Sequence, residues 1–424
     1  MQRRFNKIAI FVVIGFFKTF AQNNYIVDTS NYADLRGKIK NQNFFIKMDP
    51  NNVEALLRRG VYKLQIRDFK GTIKDNLEVI RIAGDKSDAY NNIAMAQIGL
   101  RDSINALKNF KKAIELEPKA AMGYLNLAHC KAEFHDYKGA ITDLNKAIEL
   151  KPDYAKAYHN RGFAKTILGD DKGALEDFNK TLELKPDYLE GYFNRANVFM
   201  RLKKLDEAIK DFNTTIVISP YFIPAYVARA SLKTEMKDVD GAIEDINKVL
   251  EMDPANELAY CARGKLRTEK KQYIFALEDF NKALELNSTN TSIYYYTGAL
   301  KNETKDFKGA LADLDKYIST FPNDTVAYFY RGIAKTGLQD NKGALKDYTK
   351  AIDLDRNYSA AYTNRGQVKY ELKEYAGAIE DFTKALAIDP YLANVHSYRA
   401  LSYEKIGDLK RARQDNEKAA SFKK

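Results

Sequence analysis

The sequence predicts an all-α fold, a solenoid in which antiparallel helix pairs stack along the chain. The first observation is a grid of prolines, because eight of the nine prolines are separated by 34 residues or multiples of 34. They are Pro50, Pro118, Pro152, Pro186, Pro220, Pro254, Pro322 and Pro390. The second observation is that this register continues from residue 53 to the end without insertion or deletion. A fixed period of about 20 to 50 residues is typical of repeat architectures, in which each repeat packs on its neighbours.

The first 21 residues differ from the rest and predict a secretory signal peptide. Basic residues at positions 3, 4 and 7 precede an apolar run over residues 8–17, and cleavage is expected between Ala21 and Gln22. A membrane-spanning helix needs about twenty apolar residues, so an uncleaved anchor is the less favoured alternative. We therefore expect an exported protein, either periplasmic or secreted.

Charge and cysteine content give weaker constraints. The net charge of +11 falls to +7 when the four basic residues of the leader are removed from 68 basic and 57 acidic residues. No concentrated basic stripe is present, so nucleic acid is not an expected partner. Cys130 and Cys261 belong to repeats that are far apart in the chain and are expected to be free thiols, because a disulfide requires neighbouring Cα atoms.

The domain boundaries follow the same register. Residues 22–52 are interpreted as a linker and a degenerate N-terminal capping helix, with residues 34–48 as the helix. Residues 53–424 form the predicted solenoid. Its eleven repeats begin at residues 53, 87, 121, 155, 189, 223, 257, 291, 325, 359 and 393.

The residue pattern within each repeat predicts a helix, a turn and a second helix. Place 4 of the repeat is Tyr in nine repeats, place 8 is Gly or Ala in all eleven, and place 20 is Ala in ten. In the fourth repeat these are Tyr158, Gly162 and Ala174, with Phe178 at place 24. Small residues at places 8 and 20 let two antiparallel helices approach closely, and the aromatic residues fill the layer between them.

The helix ends also have local signals. Gly169 is placed to close the first helix of its repeat, helix A, because glycine tolerates the left-handed conformation. Helix B shows apolar steps of three and four residues, as in Ala140, Leu144 and Ala147. Pro186, at place 32, cannot continue helix B.

These residues resemble the tetratricopeptide repeat family, which has aromatic residues at places 4 and 24, small residues at 8 and 20, and proline at 32. The resemblance covers residues 53–424. It implies a right-handed superhelix whose A helices line a concave groove, with places 2, 5, 6, 9, 12 and 13 facing that groove. It also implies proteins or peptides as the usual ligands.

An additional pattern predicts ion pairs between the two helices of a repeat. Place 7 is Arg in eight repeats and place 23 is Asp in ten, and the antiparallel pairing that brings place 8 to place 20 also brings place 7 to place 23. The predicted pairs include Arg161 with Asp177, Arg195 with Asp211, and Arg365 with Asp381. Lys at place 26 is a competitor for the same Asp at i,i+3 spacing. Because the pair recurs along the chain, its predicted role is structural.

The groove-facing places predict where a ligand binds. Place 6 is Asn in four successive repeats and again in the tenth, and a row of amides can bind an extended backbone through donors and acceptors. The candidate residues at places 5, 6 and 9 are Asn92, Asn126, Asn160, Asn194, Asn364, His129, His159, Phe163, Phe193, Asn197 and Lys265. The alternative is that these places simply vary on a solvated surface. On the ladder hypothesis, Asn160→Ala with Asn194→Ala weakens partner binding and leaves the melting temperature nearly unchanged.

The eighth and ninth repeats carry aromatic residues at places 5 and 6 instead. They are Tyr295, Tyr296, Phe329 and Tyr330. Two such pairs are able to receive apolar side chains of a ligand, and packing between helices is the competing interpretation.

Signatures of catalysis are absent from the sequence. It contains no phosphate-binding loop, paired-His zinc helix or nucleophile elbow, so we expect neither an enzyme nor a cofactor. His129 and His159 without further ligands do not predict a metal site. The sequence predicts a non-catalytic scaffold for an extended peptide or a protein, in cell-envelope assembly or secretion, with only indirect membrane contact. A structural or glycan-associated envelope protein, or a non-catalytic subunit of an enzyme complex, is the alternative.

Overall fold

The computed structural model describes residues 32–422, and every regular element in this range is an α-helix. The 23 helices of this range are α1 Tyr32–Met48, α2 Val53–Gln65, α3 Phe69–Ala83, α4 Ser87–Gly99, α5 Ser103–Leu116, α6 Ala121–Glu133, α7 Tyr137–Leu150, α8 Ala155–Leu168, α9 Asp171–Leu184, α10 Leu189–Arg201, α11 Leu205–Ile218, α12 Ile223–Glu235, α13 Val239–Met252, α14 Glu257–Glu269, α15 Tyr273–Leu286, α16 Ile293–Glu303, α17 Phe307–Thr320, α18 Thr325–Gly337, α19 Asn341–Leu354, α20 Ser359–Glu371, α21 Tyr375–Ile388, α22 Ala393–Lys405 and α23 Leu409–Ser421. The predicted signal peptide and its cleavage site lie outside the described residues.

The chain divides into two compact units. The N-terminal compact unit ends at Asp245 and the C-terminal compact unit begins at Ile246, so the boundary falls inside α13. In each unit, consecutive helices pair and the pairs follow one another along the chain, with the even-numbered helices α2 to α22 as A helices and the odd-numbered helices α3 to α23 as B helices. The all-α solenoid predicted from the sequence is confirmed.

The first helix takes the place of a B helix ahead of the first repeat. It begins at Tyr32, two residues before the expected start, and ends at Met48. Arg59 Nη1 in α2 donates a hydrogen bond to Asn43 Oδ1 of α1 at 2.8 Å. The same 16-residue spacing joins Arg161 to Asn145 further along the chain, so α1 occupies the register of a B helix.

A left-handed residue at place 15 separates helix A from helix B in the repeats. Gly169 has φ 84°, as its position in the sequence predicts. Most repeats place a larger residue there, at positive φ: Arg67, Arg101, His135, Lys203, Lys237, Lys271, Lys305, Gln339 and Lys373. An Asp at the next place caps helix B, as where Asp170 Oδ1 accepts a hydrogen bond from Gly173 N at 3.0 Å.

The core lies between the two helices of each pair. The place-24 rings are fully buried, and Phe178, Phe280 and Phe382 each have an exposed fraction of 0%. A Cβ added at Gly366, the place-8 residue of its repeat, would lie 2.7 Å from the ring of Phe382. Place 8 therefore has to be small because the ring from helix B packs directly on the backbone of helix A.

Candidate functional site

An arginine node joins the helices within and between repeats. Arg365 Nε and Nη2 donate to the two carboxylate oxygens of Asp381 at 2.9 and 2.6 Å. Its third nitrogen, Nη1, donates to Thr349 Oγ1 of the preceding B helix at 3.0 Å. The guanidinium lies 5.6 Å from the ring centre of Tyr362, and Lys369 Nζ lies 2.9 Å from Asp381 Oδ2. One arginine therefore fixes its own helix pair and its position on the previous pair.

The other two predicted pairs have the same geometry. Arg161 Nη2 lies 2.6 Å from Asp177 Oδ1, and Arg195 Nε lies 2.8 Å from Asp211 Oδ2. Burial alone would lower the pKa of an arginine, but the hydrogen bonds to Asp381 keep the pKa of Arg365 raised. The bidentate geometry and the low exposure of the Asp residues make these pairs part of the internal structure of the repeats.

Where a node has a lysine as its second cation, that lysine differs from the one expected. The sequence pointed to Lys at place 26, but Lys180 Nζ instead bonds Glu183 on its own helix at 2.6 Å. The lysine that reaches the Asp comes from place 11 on helix A, as where Lys165 Nζ lies 2.8 Å from Asp177 Oδ2. The reason is geometric, because place 11 is one helical turn beyond place 7 and faces the same carboxylate across the helix pair.

The third repeat lacks the arginine of the node. Leu127 stands at place 7, and Lys131 Nζ lies 2.6 Å from Asp143 Oδ2. Burial raises the pKa of Asp143 despite the opposing effect of Lys131. In this repeat the single lysine therefore does not offset the burial of the carboxylate.

The predicted asparagine row lies at contacts between successive repeats. Asn92 Nδ2 donates to Asn76 Oδ1 at 3.2 Å, and Asn126 Nδ2 donates to Asn91 Oδ1 at 2.8 Å. Asn92 is 9% exposed, whereas Asn126 is half-buried. Peptide contact by this row stays a prediction, and at Asn92 it would compete with a buried internal hydrogen bond.

His159 connects two further members of the row. Its Nε2 lies 2.9 Å from Asn194 Nδ2, and its Nδ1 lies 3.3 Å from Asn160 Oδ1. Because the Asn194 amide donates, we assign the neutral ring with its proton on Nδ1. The ring packs at 5.0 Å from Tyr188 and 5.8 Å from Phe178. Burial lowers the pKa of His159, which agrees with the neutral form.

The fifth repeat places two more candidates inside the packed layer. Phe193 is 8% exposed and contacts the rings of Phe212 at 5.9 Å and Phe222 at 5.3 Å. Asn197 is 4% exposed and donates from Nδ2 to the carbonyl oxygen of Phe193 at 2.7 Å. In this repeat the candidate residues are thus mostly internal.

Three other candidates are half-buried and closer to solvent. They are His129, Phe163 and Asn364. Burial lowers the pKa of His129 to about 4, with a further contribution from Lys156. The Asn364 side chain forms a hydrogen bond with the hydroxyl of Tyr348. Burial raises the pKa of this tyrosine, and the hydrogen bond opposes that rise.

The aromatic candidates of the C-terminal compact unit contact one another. Tyr295 packs edge-on against Tyr296 at 5.3 Å and against Tyr330 at 6.0 Å. Phe329 packs edge-on against Tyr330 at 5.7 Å. Tyr296 also stacks on Phe280 at 5.4 Å, and Lys265 Nζ lies 4.7 Å from the centre of its ring. The structure therefore brings together all the aromatic candidates and Lys265.

Sequence reasoning missed the residue at place 34, which lies against place 5 of its own repeat. Tyr358 packs on Phe329 at 5.1 Å, in the same way as Tyr188 packs on His159. In the eighth repeat place 34 is Asp324, whose Oδ2 accepts a hydrogen bond from Tyr317 at 3.2 Å. An aromatic residue at place 34 in several repeats was the available signal.

Residues 32–422 show neither a metal cluster nor a membrane-spanning helix. No group of three or more His, Cys, Asp or Glu side chains in this range is arranged to hold a metal ion. None of the helices from α1 to α23 combines the length and the apolar character needed to cross a membrane.

Comparison with solved structures gives several similar folds, and no curated protein matched the chain. Yeast Tom70 is 17% identical with a TM-score of 0.36, over 87% of this chain and 92% of that chain. YrrB, described as a protein with an unusual peptide-binding site, is 22% identical with a TM-score of 0.38, over 43% of this chain and 95% of its own. MamA from Desulfovibrio magneticus RS-1 is 20% identical with a TM-score of 0.39, over 40% and 96%.

Family models match several separate segments of the chain. Models described as tetratricopeptide repeat match residues 87–119, 168–221, 223–256 and 359–392, and one described as TPR repeat matches residues 136–166. These segments lie in both compact units and follow the helix pairs seen in the structure. The chain belongs to the tetratricopeptide repeat family.

Proposed function

We propose that this protein is a non-catalytic scaffold that binds an extended peptide or a partner protein along the groove-facing side of its A helices. The observation that carries the proposal is a contrast within the repeats. Places 7, 8, 20 and 23 keep the same residue types in repeat after repeat, whereas place 5 changes from His159 to Phe193 to Tyr295. Constant places hold the helices together, so the variable places are the ones free to determine which ligand binds.

The proposed setting is the cell envelope, in assembly or secretion. Its support is the predicted signal peptide, with basic residues ahead of a short apolar run and small residues before Gln22. N-terminal sequencing of the protein from its own cells should give Gln22 as the first residue, with the protein in the periplasmic or culture fraction. A mature chain that begins at residue 1 in the cytoplasmic fraction would contradict this setting.

Site-specific photo-crosslinking tests the binding surface. A photoreactive residue at the half-buried place-9 positions Ser231 or Gln367 should crosslink a protein partner in intact cells. The matched positions are on B helices, at Ile104 and Ile274, which are 79% and 69% exposed. Crosslinks confined to the A-helix positions support the proposal, and crosslinks confined to the B-helix positions contradict it.

The second candidate is a structural or glycan-associated envelope protein, or a non-catalytic subunit of an enzyme complex, that acts through its B helices. A specific observation favours it: apolar side chains of B helices are strongly exposed, including Ile104 and Val217, at 79% each. Exposed apolar side chains are typical of contact surfaces where they form a contiguous patch. The B-helix positions in the crosslinking experiment are chosen to detect this alternative.

A further inference from the structure

Three half-buried tyrosines of the C-terminal compact unit, Tyr295, Tyr330 and Tyr358, form what we call the tyrosine patch. Tyr295 and Tyr330 contact edge-on at 6.0 Å, and Phe329 connects them to Tyr358, since it lies 5.7 Å from Tyr330 and 5.1 Å from Tyr358. Tyr295 stands at place 5 of the eighth repeat, and Tyr330 and Tyr358 stand at places 6 and 34 of the ninth. The patch is built by two successive repeats and not by one helix.

The hydroxyl groups of the patch are neutral and have no hydrogen-bond partner among the described residues. Burial raises the pKa of all three phenols, so that they keep their protons at neutral pH. Within residues 32–422, no hydrogen bond joins the hydroxyl of Tyr295, Tyr330 or Tyr358 to another residue. These oxygens can therefore accept a hydrogen bond from a ligand.

The charges that act on the patch are negative. After burial, the Asp324 carboxylate contributes to the raised pKa values of Tyr295 and Tyr358, and Glu303 contributes to that of Tyr330. Asp324 itself accepts hydrogen bonds from neutral groups, at Val326 N, Ala327 N and Tyr317 Oη. The faces of the tyrosine rings add further negative potential. A cation is therefore the complementary ligand.

Lysine side chains lie over other tyrosine rings of this chain. Lys265 Nζ lies 4.7 Å from the ring centre of Tyr296, and Lys316 Nζ lies 4.7 Å from that of Tyr294. Arginines also lie over tyrosine rings, as where Arg331 Cζ lies 5.2 Å from the ring centre of Tyr328. In the described part of the chain no lysine or arginine lies over the rings of the tyrosine patch.

A buried amide holds the backbone of the patch at Tyr330. Asn302 is 7% exposed, and its Nδ2 donates to the carbonyl oxygen of Tyr330 at 2.8 Å. Its Oδ1 is buried and receives no hydrogen bond from the described residues.

We infer that the tyrosine patch binds the ammonium group of a lysine side chain in an extended partner segment. This inference rests on the proposed scaffold function and adds the chemistry of one anchor residue. It replaces the expectation that the aromatic pairs receive apolar side chains. A cation held by aromatic faces and a nearby carboxylate gains about tenfold in affinity over an uncharged group of equal size.

The test uses the full-length chain with tyrosine rings labelled for NMR and two short blocked peptides as probes. One peptide is Ser-Lys-Ser, and the other has norleucine, which keeps the four-carbon stem without the charge, in place of lysine. The lysine peptide should shift the signals of Tyr295, Tyr330 and Tyr358 and bind about tenfold more tightly than the norleucine peptide. Equal binding of the two peptides, or no shift of these signals, overturns the inference.

Variants make the result specific. Tyr330→Leu should weaken binding of the lysine peptide about tenfold, whereas Tyr330→Phe keeps the ring and should keep most of the binding. Asp324→Asn retains the helix cap but removes the charge, and should weaken binding even if Tyr330→Leu fails to fold. Tyr391→Leu, at a tyrosine that is 74% exposed, is the matched control and should change nothing. Tighter binding of an arginine peptide overturns the assignment to lysine.

The two proposals fail separately. If the peptides do not bind but crosslinks still come from Ser231 or Gln367, the scaffold function stands and the lysine anchor is wrong. If crosslinks come only from Ile104 or Ile274, the proposed groove function is wrong whatever the peptides do.

Discussion

The two compact units share one framework but fill the layer between their helices differently. In the N-terminal unit, places 5 and 6 form amide and imidazole hydrogen bonds, as between Asn194 and His159. In the eighth and ninth repeats, which belong to the C-terminal unit, the same places carry rings that pack on rings, as between Tyr295 and Tyr330. The arginine node is the same in both, at Arg161 and at Arg365. The node therefore fixes the helices, and the layer at places 5 and 6 is left to set the chemistry of each region.

One buried histidine in each unit shows the same contrast. His159 accepts a hydrogen bond from Asn194 at Nε2. His396 instead lies between two acceptors, with Nδ1 2.9 Å from Asp415 Oδ1 and Nε2 3.1 Å from the carbonyl oxygen of Pro390. The two rings therefore differ in their partners, an amide donor for His159 and two oxygen acceptors for His396.

The largest expected effect tests whether the framework is really common to both units. Asp177→Ala and Asp381→Ala each leave an arginine and a lysine without their buried carboxylate, which costs about 3 kcal/mol. Hydrogen exchange in the flanking helices should speed up about 100-fold in both variants. Glu176→Ala, at an exposed position, is the control and should have no effect. A strong effect in one unit and none in the other would show that the nodes are not equivalent.

Removing one amide tests the polar layer of the N-terminal unit. Asn194→Ala leaves the buried Nε2 of His159 without a donor, at a cost of about 1 to 2 kcal/mol. We therefore expect Asn160→Ala with Asn194→Ala to lower the melting temperature, in contrast to the expectation from the sequence. Tyr295→Phe removes a hydroxyl that has no hydrogen-bond partner within residues 32–422 and should leave the melting temperature unchanged. An unchanged melting temperature for Asn194→Ala would mean that its amide is not part of the packing.

The pH dependence of stability should differ between the units. The folded-state pKa of His159 is lowered by burial, so its contribution is complete above the unfolded value of about 6.5 and is lost as the pH falls below it. Burial opposes ionisation of Asp415, but Arg399 and His396 bond to it and lower its pKa. That contribution is therefore present above the unfolded value of about 3.8 and is lost only at lower pH.

Hydrogen exchange, corrected for intrinsic rates, measures this difference between pH 7 and pH 5. Protection around α8 to α10 should decrease, and protection around α22 and α23 should stay. His159→Phe should remove most of the decrease, whereas His135→Gln, at an exposed ring, should not. Equal losses at both places would contradict the assigned environments.

The framework was readable from the sequence because it repeats. A residue type that recurs at one place in most repeats must serve packing, and the antiparallel pairing then identifies Arg365 and Asp381 as neighbours. The sequence indicated Lys at place 26 as the second cation. Spacing alone does not distinguish an i,i+3 pair within one helix from a pair across two helices. Lys165 reaches Asp177 from the other helix, a contact that depends on the angle between them.

The candidate site was less predictable for a related reason. A side chain at place 6 lies at the contact between successive repeats, and whether it faces solvent or the previous repeat depends on their relative tilt. Asn92 and Asn194 turn inward, whereas the sequence treats them like Asn126. Asp324 and Tyr358 were missed because place 34 lies at the start of the next helix in sequence but packs back on place 5.

The smallest expected effect compares the two cysteines, one in each unit. Both are free and buried, and burial raises the pKa of Cys130 to about 12 and that of Cys261 to about 11. Both thiols therefore stay protonated at neutral pH, and Cys261 is slightly more exposed, at 9% against 0% for Cys130. Iodoacetamide labelling followed by mass spectrometry should be slow at both and somewhat faster at Cys261, with equal rates in denaturant. Faster labelling of Cys130 would mean that the helix pair of the third repeat, where Asp143 lacks an arginine, opens more often than the ring-packed layer around Cys261.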